Sequence, residues 1–450
     1  MSKEMIDEAL KHATDTKACV IGERVLGQVP SLLKANFPGA TRAMIVADPR
    51  TWAAAGEAVS ASLESAGVAV SRYLLEPDGK TFHADYHYAA EVREALKAER
   101  AKGAADDFVP VAVGSGVVND LTKLASGELG IPYLTCATAA SVDGYSSFGA
   151  AIRSPEGAKK TYACPAPRVI VADLDVMRTA PKWMAASGFA DLLAKVPAGA
   201  DWILAYELKA TPWHDRAWHT VQDGLPEALS NPEGVAAMET EPLTKFVEGL
   251  MLGGFAMQDM QSSRPASGAE HMFSHILEMN NHTFKGEIVP HGIQVGVYTH
   301  FMAKFYEQIL AFDYATLDVE ACVRAWPDWP AEEAVARQLF AGTPFPDVGV
   351  TTTKAKYLDK DGLRDQLMII KTRWPEIKAR LAKQLLPADE IARRLRVVGA
   401  PVHPEEIGTT REASLASVNV AAHMRDRYNA LDFTYRTGQM MPFAKLAFGL

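Results

Sequence analysis

The sequence predicts an α/β N-terminal domain built on a parallel sheet over residues 1–180, followed by an all-α domain over residues 181–450. Between about Lys17 and Asp175, short β-rich apolar runs alternate with helical stretches, the pattern of βαβ units whose sheet is covered on both faces. Beyond Pro181, apolar-periodic segments continue to the C-terminus without β-rich runs, interrupted at Gly224-Leu-Pro, Asn231-Pro, Arg264-Pro, Gly342-Thr-Pro and Ala400-Pro. A chain of 450 residues also exceeds one ordinary core, which places a boundary near Thr179-Ala-Pro181. Ligand pockets often form in the cleft between two such halves, and the site is expected there.

The clearest strands are Ala43–Ala47, Ala69–Leu75, Val109–Val113 and Val169–Ala172, and helical periodicity fills Thr51–Ala66 and His87–Lys102. The composition, 48% hydrophobic and 22% charged, is that of a folded globular chain. A formal charge of −9 with no basic patch of useful length argues against a nucleic-acid or anionic-membrane partner. The first twelve residues are charged and amphipathic rather than signal-like, and no apolar run reaches the roughly 20 residues of a membrane span, so a cytoplasmic protein is expected. Cys19, Cys136, Cys164 and Cys322 lack CxxC spacing and read as buried free thiols. Any metal must therefore use nitrogen and oxygen ligands.

The strand ending at Val113 runs into Gly114-Ser115-Gly116-Val117-Val118-Asn119-Asp120-Leu-Thr-Lys123. Two glycines let a pyrophosphate approach the main chain at a helix N-terminus, although such turns join many strands to helices. Asn119 stands where the third glycine of the dinucleotide fingerprint would fall. The next turn, Thr138-Ala139-Ala140-Ser141-Val-Asp143-Gly144-Tyr-Ser-Ser147-Phe-Gly149, is dense in small and hydroxylated residues. It suits a cofactor lying against it, or a solvated turn with Asx and Ser/Thr caps.

In the helical half, Ser267-Gly-Ala-Glu-His271-Met-Phe-Ser-His275 puts two histidines one turn apart on one helix face, near an N-terminus that Pro265 and Ser267 would set. His291 opens the next helix. Asp191, within Ser187-Gly-Phe-Ala-Asp-Leu-Leu-Ala-Lys195, reads alone as a surface ion pair with Lys195. Beside His271 and His291 it completes the ligand count of an open divalent-metal site. His83 and His87 share the i,i+4 spacing, lack a third partner and read as solvated.

In order, these segments resemble the sn-glycerol-1-phosphate dehydrogenase family, within the dehydroquinate synthase-like and iron-containing alcohol dehydrogenase superfamily. The resemblance spans roughly residues 17–310 and rests on GSGxxND at Gly114–Asp120, TAASxDGYxSxGAA at Thr138–Ala151, SGxxDxLxK at Ser187–Lys195, SGxEHxxSH at Ser267–His275 and HGxQVG at His291–Gly296. It implies a dehydroquinate synthase-like fold, metal ligands Asp191, His271 and His291 for one divalent ion, zinc or nickel, and catalytic roles for Asp143 and His275 facing the substrate. It implies NAD contacts from Gly114, Ser115, Gly116, Val117, Val118, Thr138, Ala139, Ala140, Ser141 and Ser147. Asp48, after the first clear strand, would bind the adenosine ribose and favour NAD over NADP, which its charge disfavours at the 2′-phosphate.

Val117-Val118 replace the Thr-Ile expected in that turn, and nothing after about Asp313 matches a motif, so substrate selection could differ. The implied reaction is metal-dependent, NAD(P)-linked interconversion of dihydroxyacetone phosphate and sn-glycerol 1-phosphate, with Lys123, Lys159 or Lys160 as compositional candidates for the phosphate anchor. A glycerol or related polyol dehydrogenase, a dehydroquinate synthase-like cyclase and a non-catalytic binding protein are the alternatives. A homo-oligomer with a small phosphorylated polyol or ketone as substrate is expected.

Overall fold

The apolar runs of the N-terminal half pair into one parallel sheet in the computed structural model, which describes residues 3–76, 82–104, 106–155 and 159–450. Its strands are β1 (Ala18–Gly22), β2 (Arg42–Ala47), β3 (Ala69–Leu74), β4 (Phe108–Gly114), β5 (Leu134–Ala137) and, after the hairpin β6 (Ala150–Arg153) and β7 (Lys159–Tyr162), β8 (Val169–Asp173). The order is β1-β8-β5-β4-β2-β3, with register pairs such as Ile45 with Val111 and Cys136 with Val171. Because successive side chains leave a strand on opposite faces, Ile45 and Ala47 join one apolar cluster with Val59, Val111 and Val171. Met44 and Val46 join another with Val92, Leu96 and Leu121. Burial on both faces explains why β4 and β8 read as continuous apolar runs.

All four strands expected from the sequence form. The hairpin β6–β7 was not anticipated, since Lys159 and Lys160 break any apolar pattern. The expected helix over Thr51–Ala66 is Pro49–Thr51, a π-helical turn Trp52–Gly56, then Glu57–Ser65, and the other is Tyr86–Arg100. Of the charged N-terminal segment, Lys3–Leu10 is helical, and Met1 and Ser2 lie outside the described residues.

Eight helices matter below: α1 (Gly116–Glu128), α2 (Lys182–Leu193), α3 (Lys195–Glu207), α4 (Thr240–Met260), α5 (Ala269–Met279), α6 (His291–Ala311), α7 (Val418–His423) and α8 (Ala430–Arg436). Beyond Pro181 the described chain is helical apart from a short antiparallel pairing of Thr283–Phe284 with Glu287–Ile288. It clusters into two compact units. One comprises Met1–Leu192, Arg216–Ser263 and Val397–Gly399, and the other Leu193–Asp215, Arg264–Arg396 and Ala400–Leu450. Among the described residues no helix is long and apolar enough to cross a membrane. All four cysteines are free, with Cys136 and Cys164 buried.

Candidate metal and nucleotide site

The turn after β4 is shaped by what glycine lacks. A Cβ at Gly114 would lie 2.4 Å from the Val118 Cβ, so the strand can reach α1 this closely only without a side chain there. Ser115 N-caps α1 without a side-chain hydrogen bond, leaving the first-turn N–H groups without that internal acceptor. At the end of the neighbouring strand β5, Thr138 N donates to Gly114 O at 3.1 Å, which sets the two predicted cofactor segments side by side at the carboxyl edge of the sheet.

The Thr138–Gly149 loop is clamped from several sides, and this argues against the solvated-turn reading. Ala139, Ala140, Ser141 and Ser147 are buried. Ser146 Oγ donates to Met251 O at 2.8 Å and Gln258 Nε2 to Ser146 O at 2.6 Å, both partners lying on α4. A Cβ at Gly188 of α2 would stand 2.2 Å from Ala140 O, and one at Gly254 of α4 2.0 Å from Ser146 Oγ. Lys123 is fully buried, and its Nζ donates to Gly144 O at 2.8 Å and to Ser147 O and Gly149 O at 3.0 Å. An ammonium has three protons, so Lys123 staples the loop and is removed as a phosphate-anchor candidate. At the end of β2, Asp48 Oδ1 accepts from Arg50 N at 2.8 Å and Thr51 N at 3.1 Å, capping the helix that follows.

The three histidines gather where α5 packs against α6. Ring centroids are 5.4 Å apart for His271 and His291, 6.4 Å for His271 and His275, and 6.3 Å for His275 and His291. The N-cap of α5 is Gly268 rather than Ser267, because Glu270 reaches back to accept from Gly268 N at 2.6 Å. Asp191, on α2, contributes to the same group: one ligand atom each from Asp191, His271 and His291 lie within 4.8 Å of one another. Asp143 N donates to Asp191 Oδ2 at 3.3 Å, tying the loop to this carboxylate. Asp191 and Lys195 are 1% and 0% exposed, which rules out the surface ion pair. His87 is exposed and His83 half-buried.

The donor chemistry suits a divalent cation. His271 Nδ1 donates to Glu270 Oε1 at 2.7 Å and His291 Nδ1 to Glu278 Oε1 at 2.8 Å. A carboxylate on Nδ1 fixes the tautomer, orients the ring and makes Nε2 the basic nitrogen, as in carboxylate-histidine-metal arrangements. Ser274 Oγ lies 3.1 Å from His291 Nδ1 and donates to Gln294 Oε1 at 3.2 Å. The second oxygen of Glu278 accepts from His275 Nδ1 at 3.2 Å, so one carboxylate serves two imidazoles. Burial pushes the His275 pKa down to about 3, against the opposing pull of Glu278, and the ring is neutral near pH 7.

Behind His271, Asp201 of α3 accepts from Ala269 N at 2.7 Å, Tyr306 OH at 2.5 Å and Ala430 N at 2.9 Å. Asp201 Oδ2 and Glu270 Oε2 flank Gly268, at 2.6 and 2.8 Å from where a Cβ would sit, and Glu270 Oε2 is buried with no hydrogen-bond partner. Burial and then the neighbouring Glu270 charge raise the Asp201 pKa to about 7. The sequence reading missed Glu278 and Asp201 as site residues. A signal existed for Glu278, which follows His271 by seven residues and His275 by three and so shares their helix face. Asp201 carried none.

Fold and donor set together define the class, an NAD(P)-linked alcohol dehydrogenase of the metal-dependent kind. Residues 20–181 match the family model described as iron-containing alcohol dehydrogenase. The chain is 33% identical over 289 residues to the glycerol-1-phosphate dehydrogenase [NAD(P)+] of Halalkalibacterium halodurans, covering 64% of this chain and 70% of that one. It is 31% identical over 314 residues to that of Bacillus velezensis, covering 68% and 78%. The crystal structure of glycerol dehydrogenase from Schizosaccharomyces pombe superposes with a TM-score of 0.58 at 17% identity, covering 97% of this chain and 91% of that one, a likeness of fold. The chain belongs to the glycerol-1-phosphate dehydrogenase family.

Proposed function

We propose that this protein catalyses the reversible NAD(P)-linked reduction of dihydroxyacetone phosphate to sn-glycerol 1-phosphate, with dinucleotide binding assigned to residues 1–180 and metal and substrate binding to residues 181–450. The observation that carries the reading is the pair of carboxylate-backed histidines, His271 on Glu270 and His291 on Glu278, in one donor group with Asp191.

Asp191, His271 and His291 would hold a divalent ion, zinc or nickel, through one carboxylate oxygen and two Nε2 atoms. When bound, the ion supplies positive charge beside the ketone oxygen, where negative charge grows as hydride arrives from the nicotinamide. The first-turn N–H groups of α1, from Gly116 to Val118, and the Thr138–Ser147 loop would receive the dinucleotide. Asp48, whose Oδ1 is engaged in capping, would meet the adenosine ribose and favour NAD. His275, neutral and oriented through Nδ1, presents an unprotonated Nε2 suited to accept a hydrogen bond from a substrate hydroxyl. Asp143, tethered through its own amide, would orient a substrate hydroxyl.

The test is NADH oxidation by the metal-replete protein with dihydroxyacetone phosphate against unphosphorylated dihydroxyacetone. Consumption that depends on the phosphate is expected. Preference for dihydroxyacetone would move the assignment to a glycerol dehydrogenase, and silence with both, accompanied by phosphate release from a sugar-acid phosphate, to a cyclase.

A further inference from the structure

A phosphorylated substrate needs a cation within reach of the histidines; of the candidates the sequence offered, Lys123 is fully engaged, and Lys159 and Lys160 lie on the hairpin strand β7. The connector between α7 and α8 supplies another. α7 packs against α5, and the segment that follows, Met424–Asn429, is fastened to its surroundings at several points. Arg427 Nη1 donates to Ser267 O, two residues before α5 begins. Arg264 Nη1 donates to Tyr428 O at 2.8 Å, and the Ala430 amide to Asp201 Oδ1 at 2.9 Å. Asn429 and Asp432 close a capping box on α8. Three fastenings within these six residues and a fourth on the next leave this connector little freedom, so what it presents is held in place before any ligand arrives.

What it presents is Arg425. Among the described residues its guanidinium makes no hydrogen bond and no ion pair, while the neighbouring Arg264 and Arg427 are committed to backbone carbonyls. The side chain is exposed, and surrounding protein pulls its pKa down by burial while the Asp426 and Glu278 charges oppose that shift. A cationic fork with five donors, carried on a connector that runs from α7, packed against α5, to the Arg427–Ser267 bond just before α5 begins, is matched in geometry to a phosphate monoester.

We propose that Arg425 is the anchor for the phosphoryl group of the substrate and hence the residue that separates phosphorylated from unphosphorylated ketones. The assignment rests on the substrate reading above and deepens it. It places the specificity determinant in the part of the chain where no sequence motif was found.

Inorganic phosphate is the probe. Calorimetric titration of the metal-replete protein should give phosphate binding that Arg425→Met weakens by about tenfold or more, the size of a lost charge-assisted hydrogen bond, and that Arg425→Lys partly restores. The ratio of kcat/KM for dihydroxyacetone phosphate to that for dihydroxyacetone should collapse in parallel. Phosphate affinity unchanged in Arg425→Met overturns the proposal. If that variant fails to fold, the unaltered protein decides: phosphate should protect Arg425 from phenylglyoxal, and modification indifferent to phosphate overturns it. The two readings fail separately, since absence of any oxidation of NADH by dihydroxyacetone phosphate counts against the reaction, and unchanged phosphate affinity against Arg425.

Discussion

Replacing Gly188 by alanine sets two magnitudes against each other. Gly188 lies inside α2, where alanine is favoured over glycine by about 1 kcal/mol on helix propensity alone. The new Cβ, however, would lie 2.2 Å from Ala140 O and 2.9 Å from Ala140 C, both backbone atoms that no rotamer change can move. Reaching ordinary contact at 3.4 Å requires about 1.2 Å of displacement between α2 and the loop. Overpacking of this kind costs typically about 1–3 kcal/mol, and here the obstacle is main chain on both sides, so packing wins.

The displacement also falls where it matters chemically, because Asp191 is three residues further along α2 and its Oδ2 accepts from the Asp143 amide. A misplacement of about 1 Å can cost on the order of a hundredfold in rate. Gly188→Ala is therefore expected to lower the urea midpoint and to weaken both NADH binding and metal retention. Urea unfolding, NADH fluorescence titration and metal competition against a chelator read these separately. A variant as stable as the parent with unaltered metal affinity would refute the reasoning.

Three further outcomes follow from buried polar groups. Lys123→Met leaves the Gly144, Ser147 and Gly149 carbonyls without their shared donor and Asp120 without its cation, at 3.4 Å. A loss of about 3–5 kcal/mol, the range for breaking a buried ion pair, should appear in urea unfolding. Glu278→Gln removes the carboxylate behind His291 and should weaken metal binding by about 10–100-fold in a chelator competition. Asp201 has a folded pKa of about 7 against an ordinary 3.8. Because that value is raised, its contribution to stability is full below the unfolded pKa and is lost as pH climbs through the folded one. The urea midpoint of the parent should fall relative to Asp201→Asn between about pH 4 and pH 7, and parallel profiles would contradict the assignment.

Much of the fold could be read from local pattern. Runs such as Val109–Val113 are apolar because β4 is buried on both faces, and that signal needs no knowledge of the rest of the chain. The positions of His271, His275 and His291 were legible for a similar reason: helix periodicity fixes the first two, and α6 does open at His291. Polar groups that act by meeting distant partners were not legible. Asp201 is recognised only through Ala269, Tyr306 and Ala430, which no spacing rule connects. Lys123 lies seven residues past the start of α1, and its burial depends on a loop more than twenty positions later. Arg425 follows a stretch without any motif, and its lack of a partner is visible only once its neighbours have been assigned theirs.

Glu278 does not serve one ring exclusively: Oε1 accepts from His291 and Oε2 from His275. Two imidazoles with different expected duties thus lean on a single rigid plane of three atoms. Anything that rotates this plane to shorten one hydrogen bond lengthens the other, so the grip on the cation and the aim of the substrate-facing ring cannot be adjusted independently. Substitutions at His275 and His291 should therefore be non-additive with substitution at Glu278, and a variant that improves one duty is expected to pass the disturbance to the other.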